Sequence, residues 1–489
     1  MTTATAGSSS PVGEATATRR RTPPKKIVHL TKDERAAKGK AARAEVPRSS
    51  HGSWEPAPGR PDPVALIEQE SQSRLQDLVP IRYGRMSVSA FTFYRGAAAI
   101  MAADLAPTTR TGLHAQLCGD AHLSNFGAFA APDRRLTFSV NDFDETLPGP
   151  FEWDVKRLVA SFAVAGRDRG FDAKTRAPIN QTVGRAYRKA IREFADMRAL
   201  DLWYARLDVD DLVTMWSGQA TAKQLKRFDK NIAKARSKDS MRASDRLTRV
   251  VDGEIRIISD PPLIVPSDEL FTAEQQVHFE ETIRDVIRGY RRTLSNDRRH
   301  LLERFKYADA ARKVVGVGSV GTRAWIVLML GHDESDPLFL QIKEAEASVL
   351  EPYLGASKYN HHGQRVVEGQ RLMQSASDIM LGWFRTPDVD GISRDYYIRQ
   401  LWDGKGSALV DLMEPNALTM YAEICGWTLA RAHARSGDAV AIASYLGAGD
   451  TFDRALATFA EDYADQNELD YAAFMGAIES GKLVAQMGL

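Results

Sequence analysis

"LCGDAHLSNFGAF", residues 117–129, sets Asp120, His122 and Asn125 among small and apolar residues, and "RLTFSVNDFDE", residues 135–145, follows with a strand-like stretch ending on Asp142, Asp144 and Glu145. Taken alone, the first stretch reads as a polar turn closed by Asx hydrogen bonds, and the second as acids at a strand end. Taken together, they supply what phosphoryl transfer from a nucleotide requires: a carboxylate to accept the proton of an attacking hydroxyl, and oxygen ligands for the Mg²⁺ that balances the phosphate charge. Asn125 stands five residues after Asp120, and Asp142 seventeen after Asn125. The combination is far more specific than either half.

Composition sets the frame around this core. With 489 residues, 43% hydrophobic and 26% charged, the chain is long enough for two or more lobes with cores of their own. Cys118 and Cys425 give neither a disulfide framework nor a zinc-ligand spacing, which points to a reducing cytoplasm. The run "AWIVLML" (324–330) is too short to span a bilayer, and the N-terminus lacks a signal-peptide pattern, so a cytoplasmic protein without a membrane span is expected. Residues 1–60 carry 12 Lys/Arg against 5 Asp/Glu and no sustained hydrophobic period, and read as a disordered basic tail. Its run of Arg19, Arg20, Arg21, Lys25 and Lys26 suits a solvated tail better than a specific nucleic-acid site.

Past the tail the chain reads as folded and without repeats. Apolar spacing predicts helices over 62–80 and 90–106, a strand, the quoted loop and a second strand up to Asp144, and two amphipathic helices over 152–198. Residues 199–310 are helical and charged, broken by a Pro-rich turn "SDPPLIVP" (259–266). Strands cluster in 311–402, and helices run from 415 to the end. The pattern predicts an α+β protein in two lobes: a helical lobe over 61–310 that carries the loop and an insert, a small β-rich lobe over 311–402, and C-terminal helices over 403–489 that rejoin the helical lobe.

Protein-kinase-like enzymes place a proton-accepting Asp on a catalytic loop, a metal-ligating Asn five residues later, and a second metal carboxylate beyond the next strand. "GDAHLSNFG" (119–127) with "VNDFDET" (140–146) resembles the aminoglycoside and choline kinase branch of that superfamily, whose loop reads roughly H-G-D-x-H-x-x-N. The resemblance implies Asp120 as the catalytic base, Asn125 and Asp142 as metal ligands, and His122 and Asp144 in support. "PGPFEWDVKRLVAS" (148–161) is similar to the branch's next helix, which makes Asp154 a buried anchoring aspartate. Cys118 stands where the usual loop has a buttressing histidine, a departure that bears on loop geometry more than on chemistry. At closer range "FTFYRGAAAIMAADLA" (91–106), "LQIKEAEASVLEPYLG" (340–355) and "HHGQRVVEGQRLMQSASD" (361–378) resemble the bacterial family known as domain of unknown function 2252. That likeness brings no substrate with it.

An ordinary kinase has its glycine loop and nucleotide-binding lysine before the catalytic loop, yet no lysine lies between Arg60 and Asp120. Downstream, "GVGSVGTR" (316–323) offers Gly316, Gly318, Ser319 and Gly321 as a phosphate-covering hairpin, and Lys343 follows in "LFLQIKEA" as in a V-A-I-K strand. Glu368 on the next helix is the expected partner of Lys343, with Glu351 in reserve. Arg95 reads as a helix-start arginine held in a salt bridge, with a substrate or phosphate contact as the alternative. The order predicts a circularly permuted kinase-like fold that uses ATP and Mg²⁺ to phosphorylate a hydroxyl, of a small molecule rather than a protein. A nucleotide-binding module without catalysis and an AMP-transferring variant are the alternatives.

Overall fold

The computed structural model describes residues 28–489 apart from 217, 219, 220, 238, 388–390, 402 and 403. It is a mixed α+β structure with several sheets. The largest sheet is antiparallel and runs in the order Gly382–Pro387, Ser393–Gln400, Pro337–Glu344, Ala324–Leu330, Lys306–Lys313, Ile264–Pro266. Its central strands read as near-continuous apolar runs because both faces are covered. Phe279, Ile283 and Val286 of the helix Ala273–Tyr290 pack on Val327, Leu340 and Ile398. On the other face Ala243 and Leu247 of the helix Ser240–Leu247, with Ile257, pack on Ile326, Leu328 and Phe339.

The boundary expected at 311 is therefore too late. The sheet begins at Lys306 and recruits Ile264–Pro266, part of the stretch expected to be a Pro-rich turn. Proline is tolerated there because the strand lies at the sheet's edge, where a missing N–H breaks no ladder bond. Much of the segment expected to be an insert in the helical lobe thus clothes this sheet.

The second body is helical, built around Phe151–Asp168, Ala173–Asp196, Pro415–Ser436 and Thr451–Glu479, which share one core with Phe126, Phe138 and Val140. The two predicted helices of 152–198 correspond to the first pair. The expected helix over 90–106 is divided into Ala90–Arg95 and Ala98–Leu105, with a break at Gly96 and Ala97. The tail needs the larger correction: residues 1–27, with the Arg19–Lys26 basic run, lie outside the described residues, but Lys32–Glu45 is a helix capped by a Thr31–Glu34 box. It buries Gly39 and Ala42. No helix among the described residues is long and apolar enough to cross a membrane.

Candidate active site

The loop and the acids are joined by a hairpin. Strands Phe126–Ala130 and Leu136–Val140 pair antiparallel with Phe126 opposite Val140, and the Asn141 N–H donates to the Asn125 carbonyl at 3.0 Å. Asn125 and Asp142 are thereby neighbours at the hairpin's open end. Gly119, at φ +85°, lets the loop pass beneath the acidic segment: a Cβ there would stand 2.3 Å from the Glu145 carbonyl oxygen. His122 caps the turn Leu123–Asn125, its Nδ1 accepting the Ser124 N–H at 3.2 Å. Asn125 Nδ2 donates to the Asp120 carbonyl at 2.9 Å.

The helix Phe151–Asp168 holds this loop from below. Asp154 accepts the N–H groups of Cys118 (2.8 Å) and Gly119 (3.1 Å), and its Oδ2 lies 3.2 Å from His433 Nε2. His433 Nδ1 in turn meets the Tyr187 hydroxyl at 2.8 Å. One turn beyond Asp154, Arg157 donates from Nε (2.9 Å) and Nη2 (2.7 Å) to Asp120 Oδ1, with its guanidinium 4.0 Å over the Tyr94 ring. Asp120 Oδ2 accepts the Asn125 Nδ2 amide at 3.4 Å and lies 3.6 Å from His122 Nε2. Burial raises the Asp120 pKa, outweighing the Arg157 charge, and burial with the Arg95 and Arg157 charges pushes His122 well below its usual value. The imidazole is neutral.

Lys343 arrives from the six-stranded sheet. Its register partner is Tyr397 on the neighbouring strand, and the pair close on Asp144 from one face. Lys343 Nζ donates to the Asp144 carboxylate and, at 2.8 Å, to Ser319 Oγ, while the Tyr397 hydroxyl donates to Asp144 Oδ1 at 2.7 Å. Burial pulls the Asp144 pKa up, but the Lys343 charge prevails and holds it below the ordinary value. Asp142 goes the other way, raised by burial and by the like charge of Asp144. Its Oδ1 accepts the Asp144 N–H at 3.3 Å, and it has no ion pair among the described residues. Asp120, Asn125, Asp142, Asp144 and the loop Gly316–Ser319 line one cavity of about 620 Å³.

Residues 74–477 match the family described as an uncharacterized protein conserved in bacteria, DUF2252. The chain belongs to that family. No curated protein and no solved structure matches it.

In this DUF2252 protein the expected lysine partner is corrected. Glu368 pairs with Arg371, one turn along its own helix, at 3.4 Å, and Glu351 lies 3.9 Å from Arg365; neither glutamate bonds Lys343. Asp144 takes that place because the strand carrying Lys343 lies directly over the acidic segment. Arg95 is the other correction, since its guanidinium has no salt bridge or hydrogen bond among the described residues. Four contributors escaped the sequence reading: Arg157, Tyr397, His433 and Arg399, whose Nη1 donates to the Asn141 carbonyl at 3.3 Å beside Asp142. Arg157 had a local signal, standing three residues after Asp154 and so on the same helix face. Tyr397 and Arg399 alternate on one strand face, yet nothing local says which strand they oppose.

Proposed function

We propose that this protein is an ATP- and Mg²⁺-dependent phosphotransferase of the protein-kinase-like type, acting on a hydroxyl of a small-molecule acceptor. The observation that carries the reading is the convergence of the loop Gly316–Ser319, and of Lys343 through its bond to Asp144 199 positions earlier, on the cleft of Asp120, Asn125 and Asp142. The sheet adds support. From Lys306 onward the chain lays down two strands joined by the glycine loop, the Lys343 strand, the helix His362–Met373 and two more strands that pair beside the lysine's, the order of a kinase small lobe. Because this set follows the catalytic loop in the chain, the reading includes a circular permutation, which is tolerated when original termini lie close together at the surface.

In this reading the acceptor hydroxyl gives its proton to Asp120 as its oxygen bonds to the γ-phosphorus. The bond from that phosphorus to the β–γ bridging oxygen breaks, and ADP leaves. Arg157 fixes Asp120 through Oδ1, so that Oδ2 meets the proton. Asp154 holds the loop backbone that carries Asp120. Lys343 binds the α- and β-phosphates, positioned by Asp144 and Ser319. The residues present suit a hard cation: Asn125 and Asp142 offer oxygen donors, and Asp142 has no ion pair among the described residues. Asn125 and Asp142 would hold Mg²⁺, which would supply positive charge against the phosphates.

Incubation of the purified protein with γ-labelled or α-labelled ATP and a metabolite extract tests the reading. Label entering a small molecule from the γ position alone supports it. Label from the α position replaces it with AMP transfer, and nucleotide binding without any transfer replaces it with a binding module.

A further inference from the structure

Two arginines border the cleft, and they are spent differently. Arg74 donates to the carbonyls of Val320 (2.7 Å) and Glu70 (3.1 Å). Arg95 makes no hydrogen bond or ion pair among the described residues, and its Nε is buried without an acceptor. Its nearest ring, Phe91, is 6.0 Å away. Other buried arginines in the protein are engaged: Arg157 on Asp120 and the Tyr94 carbonyl, Arg365 on the carbonyls of Thr146 and Glu346, Arg431 on Ser139 and the Met373 carbonyl. Burying that Nε without an acceptor is costly, and the rest of the half-buried guanidinium is left open to a ligand in the cavity.

Its surroundings say what kind of ligand. Arg95 ends the helix Ala90–Arg95 and shares the cavity with Asp120, whose Oδ1 is already occupied by Arg157. On its other side the glycine loop touches its backbone, since a Cβ on Gly318 would stand 3.2 Å from the Arg95 carbonyl oxygen. Arg95 thus shares one cavity with the proton acceptor and with the loop assigned to the phosphates, which its backbone abuts. We propose that Arg95 binds the γ-phosphoryl group of the nucleotide, making it a second cationic catalytic residue beside Lys343. The proposal rests on the phosphotransferase reading and extends it. The guanidinium fork offers parallel N–H donors to two non-bridging oxygens, and it keeps its own proton while the acceptor's proton goes to Asp120. Lys343 serves phosphates that ADP retains; Arg95 serves the one that ADP lacks.

Calorimetric titration of the full chain with Mg²⁺ and either ADP or a non-hydrolysable β,γ-methylene analogue of ATP separates these roles. In Arg95→Ala the affinity for the analogue falls about tenfold or more, as expected for loss of a charge-assisted pair, while that for ADP changes less than about twofold. Turnover with ATP falls by about 10²–10³. Arg95→Lys, which keeps the charge and loses the fork, recovers part of both. Arg95→Gln carries the same comparison if the alanine variant does not fold, as judged by circular dichroism. Equal losses for the two nucleotides, no loss for either, or a rise confined to the acceptor KM each overturn the assignment while leaving the phosphotransferase reading in place. A wild-type protein that binds neither nucleotide overturns both.

Discussion

Asp120 carries two separable properties, a shape that the loop needs and a lone pair that the chemistry needs. Asp120→Asn keeps the first and removes the second, so turnover should fall by about 10²–10⁴ while nucleotide affinity by calorimetry stays close to wild type. Asp142→Asn should do the reverse in kind, abolishing the Mg²⁺-dependent part of nucleotide affinity. In the proposed reaction Asp120 works deprotonated, and because burial raises its pKa, kcat should fall as pH drops through that raised value, at a higher pH than an unshifted aspartate would give. Glu145, also bordering the cleft, is pushed by burial to about 7. A carboxyl with a raised folded-state pKa contributes stability that is complete below its unfolded value of 4.5 and is lost as pH rises through about 7. Thermal melts at a series of pH values should therefore show the wild type losing ground to Glu145→Gln across that window, and parallel curves would disprove the shift.

At the level of elements, the crossing of the Asp120 loop under the acidic segment depends on Gly119. Gly119→Ala forces a left-handed backbone on an L residue, costing about 1–2 kcal/mol, and drives a methyl group against the Glu145 carbonyl 2.3 Å away. Denaturant unfolding should register the loss, and turnover should drop with it because Asp142 and Asp144 sit on the displaced segment. The helix His362–Met373 makes the opposite prediction: Lys343→Met should cripple turnover, while Glu368→Gln, which disturbs only an intrahelical pair with Arg371, should leave it within about twofold. This pair also marks how far the sequence could be read. Asp120, Asn125 and Asp142 were legible because their spacing is local and one hairpin fixes it. Lys343 was legible because it is the one cation of the strand Pro337–Glu344, which follows a glycine loop. Its partner was not, since helix order alone suggested Glu368, whereas strand-over-loop packing delivers Asp144 from 199 residues away. Ile264–Pro266 was missed for a related reason, its prolines arguing locally for a turn.

Across the whole molecule, segments far apart in the chain meet. The helix Lys32–Glu45 packs on Ala439–Leu446, and a Cβ on Gly39 would stand 2.0 Å from the Ala441 carbonyl oxygen. The segment "KDERAAKGKAARAE" looks like a solvated tail because its buried face consists of Gly39 and Ala42 rather than large apolar residues. Close backbone approach replaces side-chain bulk. Gly39→Leu should overpack this contact by about 1–3 kcal/mol and lower Tm while leaving kcat unchanged, because the helix touches no cleft residue. An unchanged Tm would mean that the helix does not dock.

Asp154 and His433, bonded to one another beneath the Asp120 loop, are separated by 279 residues. At a synthesis rate of about 5–20 residues per second, the ribosome makes the loop on the order of half a minute before it makes the histidine that helps to seat it. Lys343 also emerges in that interval, over a loop whose supporting helix Pro415–Ser436 has yet to be made. The growing polypeptide thus holds Asp120, Asp142 and Asp144 long before it holds the helix that seats their loop.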